Sequence, residues 1–210
     1  MRRCLAMWPL AALSEPVPRR RLHTRQVVCE GFEREDGLFD VEGRLCDTKS
    51  YDVGGVAGGA ARVAGEPIHL MSIRLTLDGT CVIVGVQVRT HQAPFSECAD
   101  INAAYDGLIG LRIEAGFTLA VKRRFRGVAG CTHLTELLGP VATTALQSVR
   151  SAIARRPDAP GQPLLQADQS HPPRLLDTCW GLRSGSPAAI ARWGDIAKVG
   201  PGGSTGNDVG

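Results

Sequence analysis

The chain has 210 residues, 43% hydrophobic and 21% charged, which suits one domain with tails and excludes wholesale disorder. A net charge of +3 is too small to announce a nucleic-acid partner, and no apolar run approaches the roughly 18–20 residues of a membrane span. The seven cysteines (Cys4, Cys29, Cys46, Cys81, Cys98, Cys131 and Cys179) are odd in number and show neither CxxC nor a regular ladder. A disulfide framework therefore does not fit, and a reducing cytoplasm does.

Residues 1–20 read as a disordered leader. Arg2 and Arg3 precede an apolar stretch from Cys4 to Leu13, but Pro9 and the free thiols downstream argue against an export signal. Residues 21–156 hold the expected core domain. Leu22 to Phe32 reads as a strand centred on Val27 and Val28, and Glu33 to Gly37 is a turn. Leu38 to Tyr51 alternates, with Phe39, Val41 and Leu45 on one face and Asp40, Glu42 and Arg44 on the other. Together they predict an antiparallel hairpin. Gly54 to Gly65 reads as a flexible connection. A second hairpin follows: Ile68 to Leu77 places His69, Met71, Ile73, Leu75 and Leu77 on one face, and Asp78-Gly79 predicts a two-residue turn. Val82, Val84, Val86 and Val88 alternate on the return strand.

Helices are expected after the sheet. Ser96 starts one as its cap and Gly110 ends it. Gly116 to Gly127 fits either a strand or a short helix. Leu134, Leu137, Leu138, Val141, Ala142, Ala145, Leu146 and Val149 form the apolar stripe of an amphipathic helix. Residues 157–173 read as a linker, 174–195 as a C-terminal hairpin or strand extension, and 196–210 as a disordered tail. Strands first and helices after make the fold class α+β, an antiparallel sheet of two hairpins followed by packed helices.

Chemistry concentrates at the two helix starts. Cys98 opens the first, and Gly130-Cys131-Thr132-His133-Leu134-Thr135-Glu136 opens the second. A thiol at a helix N-terminus is favoured as thiolate by the orphan N–H groups. His133 and Glu136 share a helix face, and His69 on the second hairpin is a further candidate. Such nitrogen and sulfur donors suit zinc or an iron centre, with Cys98, Cys131 and His133 as the expected ligands. A second, polar group lies on the first hairpin: His23-Thr24-Arg25, Arg34, Asp36, Asp40, Glu42, Asp47 and Lys49. Asp47 and Lys49 project from the face opposite Asp40, Glu42 and Arg44. Lys49, one of three lysines, is a candidate acid/base group or anion contact. Solvated strand faces and turn residues are the plainer reading of this group. The run Lys122-Arg123-Arg124-Phe125-Arg126 fits a phosphate contact or a solvated face.

His23-Thr24-Arg25, Asp36 to Leu45 with Asp47-Thr48-Lys49, Gly65 to Met71, and Gly130 to Leu138 together resemble the DUF2889 family. The likeness extends to Leu176-Asp177-Thr178-Cys179, and the family's name carries no activity. More distantly, Glu66 to Ile153 is similar in order to NifU-type iron–sulfur scaffold domains. His69 falls near the place of the first ligand there, Cys98 at the second and Cys131 at the third. The chain departs from that pattern by lacking the first cysteine and its glycine-rich context, and its histidine follows Cys131 instead of preceding it. That likeness implies a NifU-like fold.

Two functions follow as expectations. One is a small cytoplasmic enzyme of small-molecule catabolism, in which His69, Cys131, His133 and Glu136 hold a metal or act as acid and base. Its metal-free form is a carbon–carbon lyase with Asp36, Lys49 and His69 moving protons, and a metal-assisted form extends to hydrolysis. The other is a scaffold that carries a metal or iron–sulfur cluster to a partner. A non-catalytic structural or regulatory domain explains the fold but not Gly130 to Glu136. The expected partner is a small-molecule substrate, with no nucleic acid and no membrane, and a homo-oligomer is left open.

Overall fold

The structure, a computed structural model, describes residues 14–55, 61–153, 155–156 and 176–198. Four strands form one antiparallel sheet in the order of the chain: β1 (His23–Glu33), β2 (Phe39–Lys49), β3 (Pro67–Leu77) and β4 (Ile83–Gln92). Both expected hairpins are present. The expected linker at 157–173 and the outer parts of the leader and tail lie outside the described residues. None of the described helices is long and apolar enough to cross a membrane.

Alternation decides which face of the sheet is buried. Phe39, Val41 and Leu45 of β2, with Met71, Ile73, Leu75 and Leu77 of β3, are all buried. Each such side chain contributes about 1.5–3 kcal/mol on leaving water. The intervening Asp40, Glu42, Arg44, Ser72 and Arg74 stand on the opposite face. The β1–β2 turn is closed by Arg34 and Leu38, with the Arg34 N–H donating to the Leu38 carbonyl at 2.9 Å. Asp36 accepts there from the Leu38 N–H and from the Arg34 guanidinium.

The second turn differs from the expected two-residue form. Asp78 accepts at Oδ1 from the backbone N–H groups of Thr80 and Val82 and from the Thr80 hydroxyl. Its own N–H donates to the Val82 carbonyl, and Cys81 takes φ +63°. A carboxylate that satisfies three donors stabilises a wider loop, so β4 begins at Ile83. A register shift between Thr76 and Leu77 then leaves Ile83 buried and Val84 exposed.

Ser96–Leu108 is a 3-10 segment where the sequence predicts an α-helix, and Ser96 does not cap it. Its buried residues, Tyr105 and Leu108, are three apart, the spacing that three residues per turn places on one line. Gly116–Gly127 resolves as helix α1 (Phe117–Arg124), which buries Phe117 and Val121. The strong amphipathic helix is α2 (Thr132–Ile153). Pro140 lies inside it and removes one backbone donor, leaving the Glu136 carbonyl without its usual helical N–H.

Two glycines set where α2 lies. A Cβ on Gly43 of β2 would overlap Val141 Cγ2 and come within 3.2 Å of Leu137 Cγ and Cδ1, so only hydrogen fits between strand and helix. A Cβ on Gly130 would stand 2.5 Å from the Phe125 carbonyl oxygen. Gly130 is therefore required by close backbone approach just before α2.

The chain divides into two compact units, Met1–Ala145 and Leu146–Gly210. In the second, the expected C-terminal hairpin or strand is absent from the described residues. Trp180–Leu182 forms a 3-10 turn and Pro187–Trp193 forms helix α3. Ser186 accepts from the Ala189 N–H and Pro187 sits at the first helical position, both start signals for a helix. Ala189, Trp193 and Ala197 make a small core there, flanked by Leu176, Leu182 and Ile190.

Candidate metal centre

The candidate site lies at the end of the sheet where β2 finishes and β3 starts. Register puts Arg25 opposite Asp47, and Asp47 opposite His69, so three strands contribute one residue each to a single row. Asp47 shares the phase of Phe39, Val41 and Leu45 and is 1% exposed. A buried carboxylate costs several kcal/mol unless its oxygens are satisfied. Arg25 satisfies both, with Nε 2.8 Å from Oδ1 and Nη2 2.8 Å from Oδ2. His23 Nε2 donates to Oδ1 at 3.3 Å, and His69 Nδ1 stands 3.2 Å from Oδ2.

Helix α2 supplies the fourth side. Gly43 packs on Val141 and Leu137, and His133 lies one turn before Leu137 on the same helix face. The strand runs from Gly43 toward Asp47 while the helix is read back toward its start, which brings His133 to the carboxylate. His133 Nε2 is 3.7 Å from Asp47 Oδ2, and the His133 ring stacks on His69 with centroids 3.7 Å apart and planes 30° apart. A register shift between Asp47 and Thr48 adds a residue to β3 beside the row, a device that often re-aims side chains at sites.

Asp47, His69 and His133 offer three donor atoms that all lie within 4.8 Å of one another. Donors held about 2.0–2.2 Å from a tetrahedral zinc lie roughly 3.4 Å apart, close to the observed 3.2 and 3.7 Å from Asp47 Oδ2. Protonation states agree with ligation, since a ligand imidazole must be neutral and a carboxyl ionised. Burial holds the His69 pKa below its ordinary value, with the neighbouring His133 acting in the same direction. Burial also lowers His133, helped by the Arg25 charge. Burial pushes the Asp47 carboxyl up, but the hydrogen bonds and charge of Arg25, with His23 and His69, outweigh it and hold the group below its ordinary value. Arg25 in turn is raised above the ordinary guanidinium value by its hydrogen bonds to Asp47 and is charged throughout.

Of the residues expected from sequence, His69 and His133 meet in this group. Glu136 joins through Arg25, whose Nη1 donates to Glu136 Oε2 at 2.6 Å. Cys131 stands beside the group: its Sγ is 3.9 Å from His133 Nδ1, while Nε2 is the ring nitrogen 3.7 Å from Asp47. Its backbone is clamped by the buried Tyr105, whose hydroxyl accepts from the Cys131 N–H and contacts its carbonyl and the Thr135 hydroxyl. No cysteine belongs to the donor group among the described residues, and Cys98 is not drawn into it. Lys49 ends β2 opposite His23, with Nζ 5.9 Å from the Tyr51 ring centre. Asp36 lies at the far end of β2, in the turn, paired with Arg34.

The sequence profile of the family described as Protein of unknown function (DUF2889) matches residues 23–147, well over half of the chain. The chain is a DUF2889 protein. No curated protein and no solved structure matches it. The comparisons thus give no support to the NifU-like similarity expected from sequence. The whole row of Arg25, Asp47 and His69, with His133 and Glu136, falls inside the DUF2889 domain. Asp47 is the member that sequence reading missed as a ligand. Its signal was present in the alternation, which sets it in phase with Phe39, Val41 and Leu45 on the buried face.

Proposed function

We propose that this DUF2889 protein is a metal-dependent enzyme of small-molecule metabolism, with Asp47, His69 and His133 holding one divalent ion, zinc or ferrous iron. The observation that carries the proposal is the convergence of three donor atoms from β2, β3 and α2 around a buried carboxylate. Two histidines and one carboxylate leave coordination positions open to water or substrate. A bound ion supplies Lewis acidity, which serves hydrolysis or carbon–carbon cleavage next to a carbonyl. Arg25 fixes the Asp47 carboxylate, and Cys131 braces His133 from its other nitrogen. Glu136, 57% exposed and bonded to Arg25 through one oxygen, is placed to exchange a proton with a substrate. Six free cysteines among the described residues fit a reducing, cytoplasmic setting.

Elemental analysis tests this on protein purified without oxygen and without added metal. About one zinc or iron per chain is expected, and His133→Ala and Asp47→Asn should lose it while Cys98→Ser keeps it. A folded wild-type protein that neither contains metal nor takes up zinc or ferrous iron overturns the proposal. One observation favours a second reading. Arg25 already engages both oxygens of Asp47, as suits a carboxylate that orients a histidine base. In that metal-free form His69 takes the proton and Asp47 fixes its ring, and activity survives exhaustive chelation.

A further inference from the structure

The opposite face of the sheet carries a second constellation. Glu42 and Arg44 on β2, and Ser72 and Arg74 on β3, alternate with Leu45, Asp47, His69 and Ile73 and so point away from the metal centre. With Gln87, Arg89 and His91 of β4 they line a groove of about 550 Å3. Register sets Arg44, Ser72 and Arg89 side by side across three strands, with Glu42, Arg74 and Gln87 in the next row. Strands lie about 4.8 Å apart, so Arg44 and Arg89 flank Ser72 from either side.

The charges in this groove are unequal. Glu42 is its one carboxylate, and it takes Arg74 at 2.9 and 2.5 Å and Arg44 at 2.8 Å. Arg44 also stands 3.8 Å from Glu30, on β1 beside the groove. Arg89 has no hydrogen-bond or ion-pair partner among the described residues, and it is exposed. Ser72 Oγ and His91 Nε2 lie 2.9 Å apart in the groove, hydroxyl beside imidazole. Three guanidinium groups around one carboxylate leave positive charge. Arg74 is engaged by Glu42 and Gln87 and Arg44 by Glu42, while the planar fork of Arg89 is unused among the described residues. Such a fork matches phosphoryl oxygens in shape and charge.

We propose that this groove binds the phosphate group of a small phosphorylated metabolite, seated over Ser72 between Arg44 and Arg89. The sheet separates it from Asp47, so the ligand acts as an effector or anchor and not as the substrate of the metal centre. The proposal stands independently of the metal reading.

Titration calorimetry of the full chain with inorganic pyrophosphate, at low ionic strength and with EDTA present, tests it. The expected result is saturable binding of one pyrophosphate per chain. Arg89→Gln and Arg44→Gln should each weaken it tenfold or more. Glu42→Gln, which removes the competing carboxylate, should tighten it severalfold, and Arg123→Gln on α1 should leave it unchanged. Circular dichroism establishes that each variant is folded. Absence of saturable binding up to millimolar pyrophosphate overturns the proposal. So does equal weakening by Arg123→Gln, which would mark general electrostatic attraction.

Discussion

Arg25 and Asp47 face each other across the β1–β2 ladder, and two guanidinium nitrogens meet two carboxylate oxygens at 2.8 Å each. Asp47 is buried, whereas Arg25 is 36% exposed and reaches on to Glu136. The pair is therefore asymmetric. Removing the arginine leaves a buried charge with only His23 and His69 beside it, and removing the aspartate releases a guanidinium that water can solvate.

From this asymmetry, Arg25→Gln should destabilise the protein more than Asp47→Asn. Breaking a fully buried pair costs about 3–5 kcal/mol, and partial exposure of Arg25 reduces the expected loss to about 2 kcal/mol. Urea unfolding of the metal-free variants measures this. Equal midpoints for both would show that Asp47 gains little from its partner.

Gly43→Ala should also be destabilising, although alanine is ordinarily preferred over glycine in a strand interior. The added methyl meets Val141 and Leu137, and overpacking of a closed core costs about 1–3 kcal/mol. Because the same contact seats His133, metal uptake should weaken together with stability. Pairing it with Val141→Ala should recover part of both losses, read by urea unfolding and by zinc titration.

Metal removal gives a third expectation. A ligand that binds the folded state alone stabilises it by mass action, so EDTA should lower Tm and one equivalent of zinc should restore it. His69→Ala, which removes a donor, should show the same Tm with and without zinc. Cys131→Ser should retain the zinc response with a lower affinity, about tenfold, as is usual when a group that orients a metal ligand is changed. A cysteine ligand would instead lose the response entirely.

A fourth expectation concerns acid. The hydrogen bond from Arg74, then that from Arg44, holds the Glu42 carboxyl below its ordinary value against the opposing effect of burial. A depressed folded pKa contributes stability that is fully present above the unfolded value and lost as pH falls through the folded one. Thermal unfolding from neutral pH down to about pH 3 should therefore show a shallower acid decline in Glu42→Gln than in wild type. Parallel curves would mean that the Glu42 pairs add nothing to folding.

Much of this architecture is legible in the sequence because period-two alternation is a local signal. Phe39 to Leu45 and Met71 to Leu77 declare a buried face without knowledge of their partners. The long apolar stripe from Leu134 to Val149 declares α2 in the same way. What stays hidden depends on neighbours distant in sequence. The carboxylate of Asp78 widens a turn that Asp78-Gly79 alone would make tight. Ser96 looks like a cap, yet the segment after it winds as 3-10 around Tyr105, whose hydroxyl is anchored on Cys131 and Thr135. The thiols at the helix starts stand out as ligands because cysteine is rich in chemistry. The site is assembled instead by register, which brings Arg25 and His69, each 22 residues away in sequence, to Asp47, and by α2, which adds His133. Glycine before Cys131 likewise reads as a site feature, and its contact with Phe125 shows a packing requirement.

The Arg34–Leu38 turn sits at the opposite end of β2 from Asp47, and its hydrogen bonds run mainly among its own residues. It is thus a natural insertion point for an affinity handle or a fluorescent reporter. A probe grafted there would leave the helix-covered end of the sheet free to be immobilised, titrated and imaged. That makes a screen for small-molecule ligands practical on a surface as well as in solution.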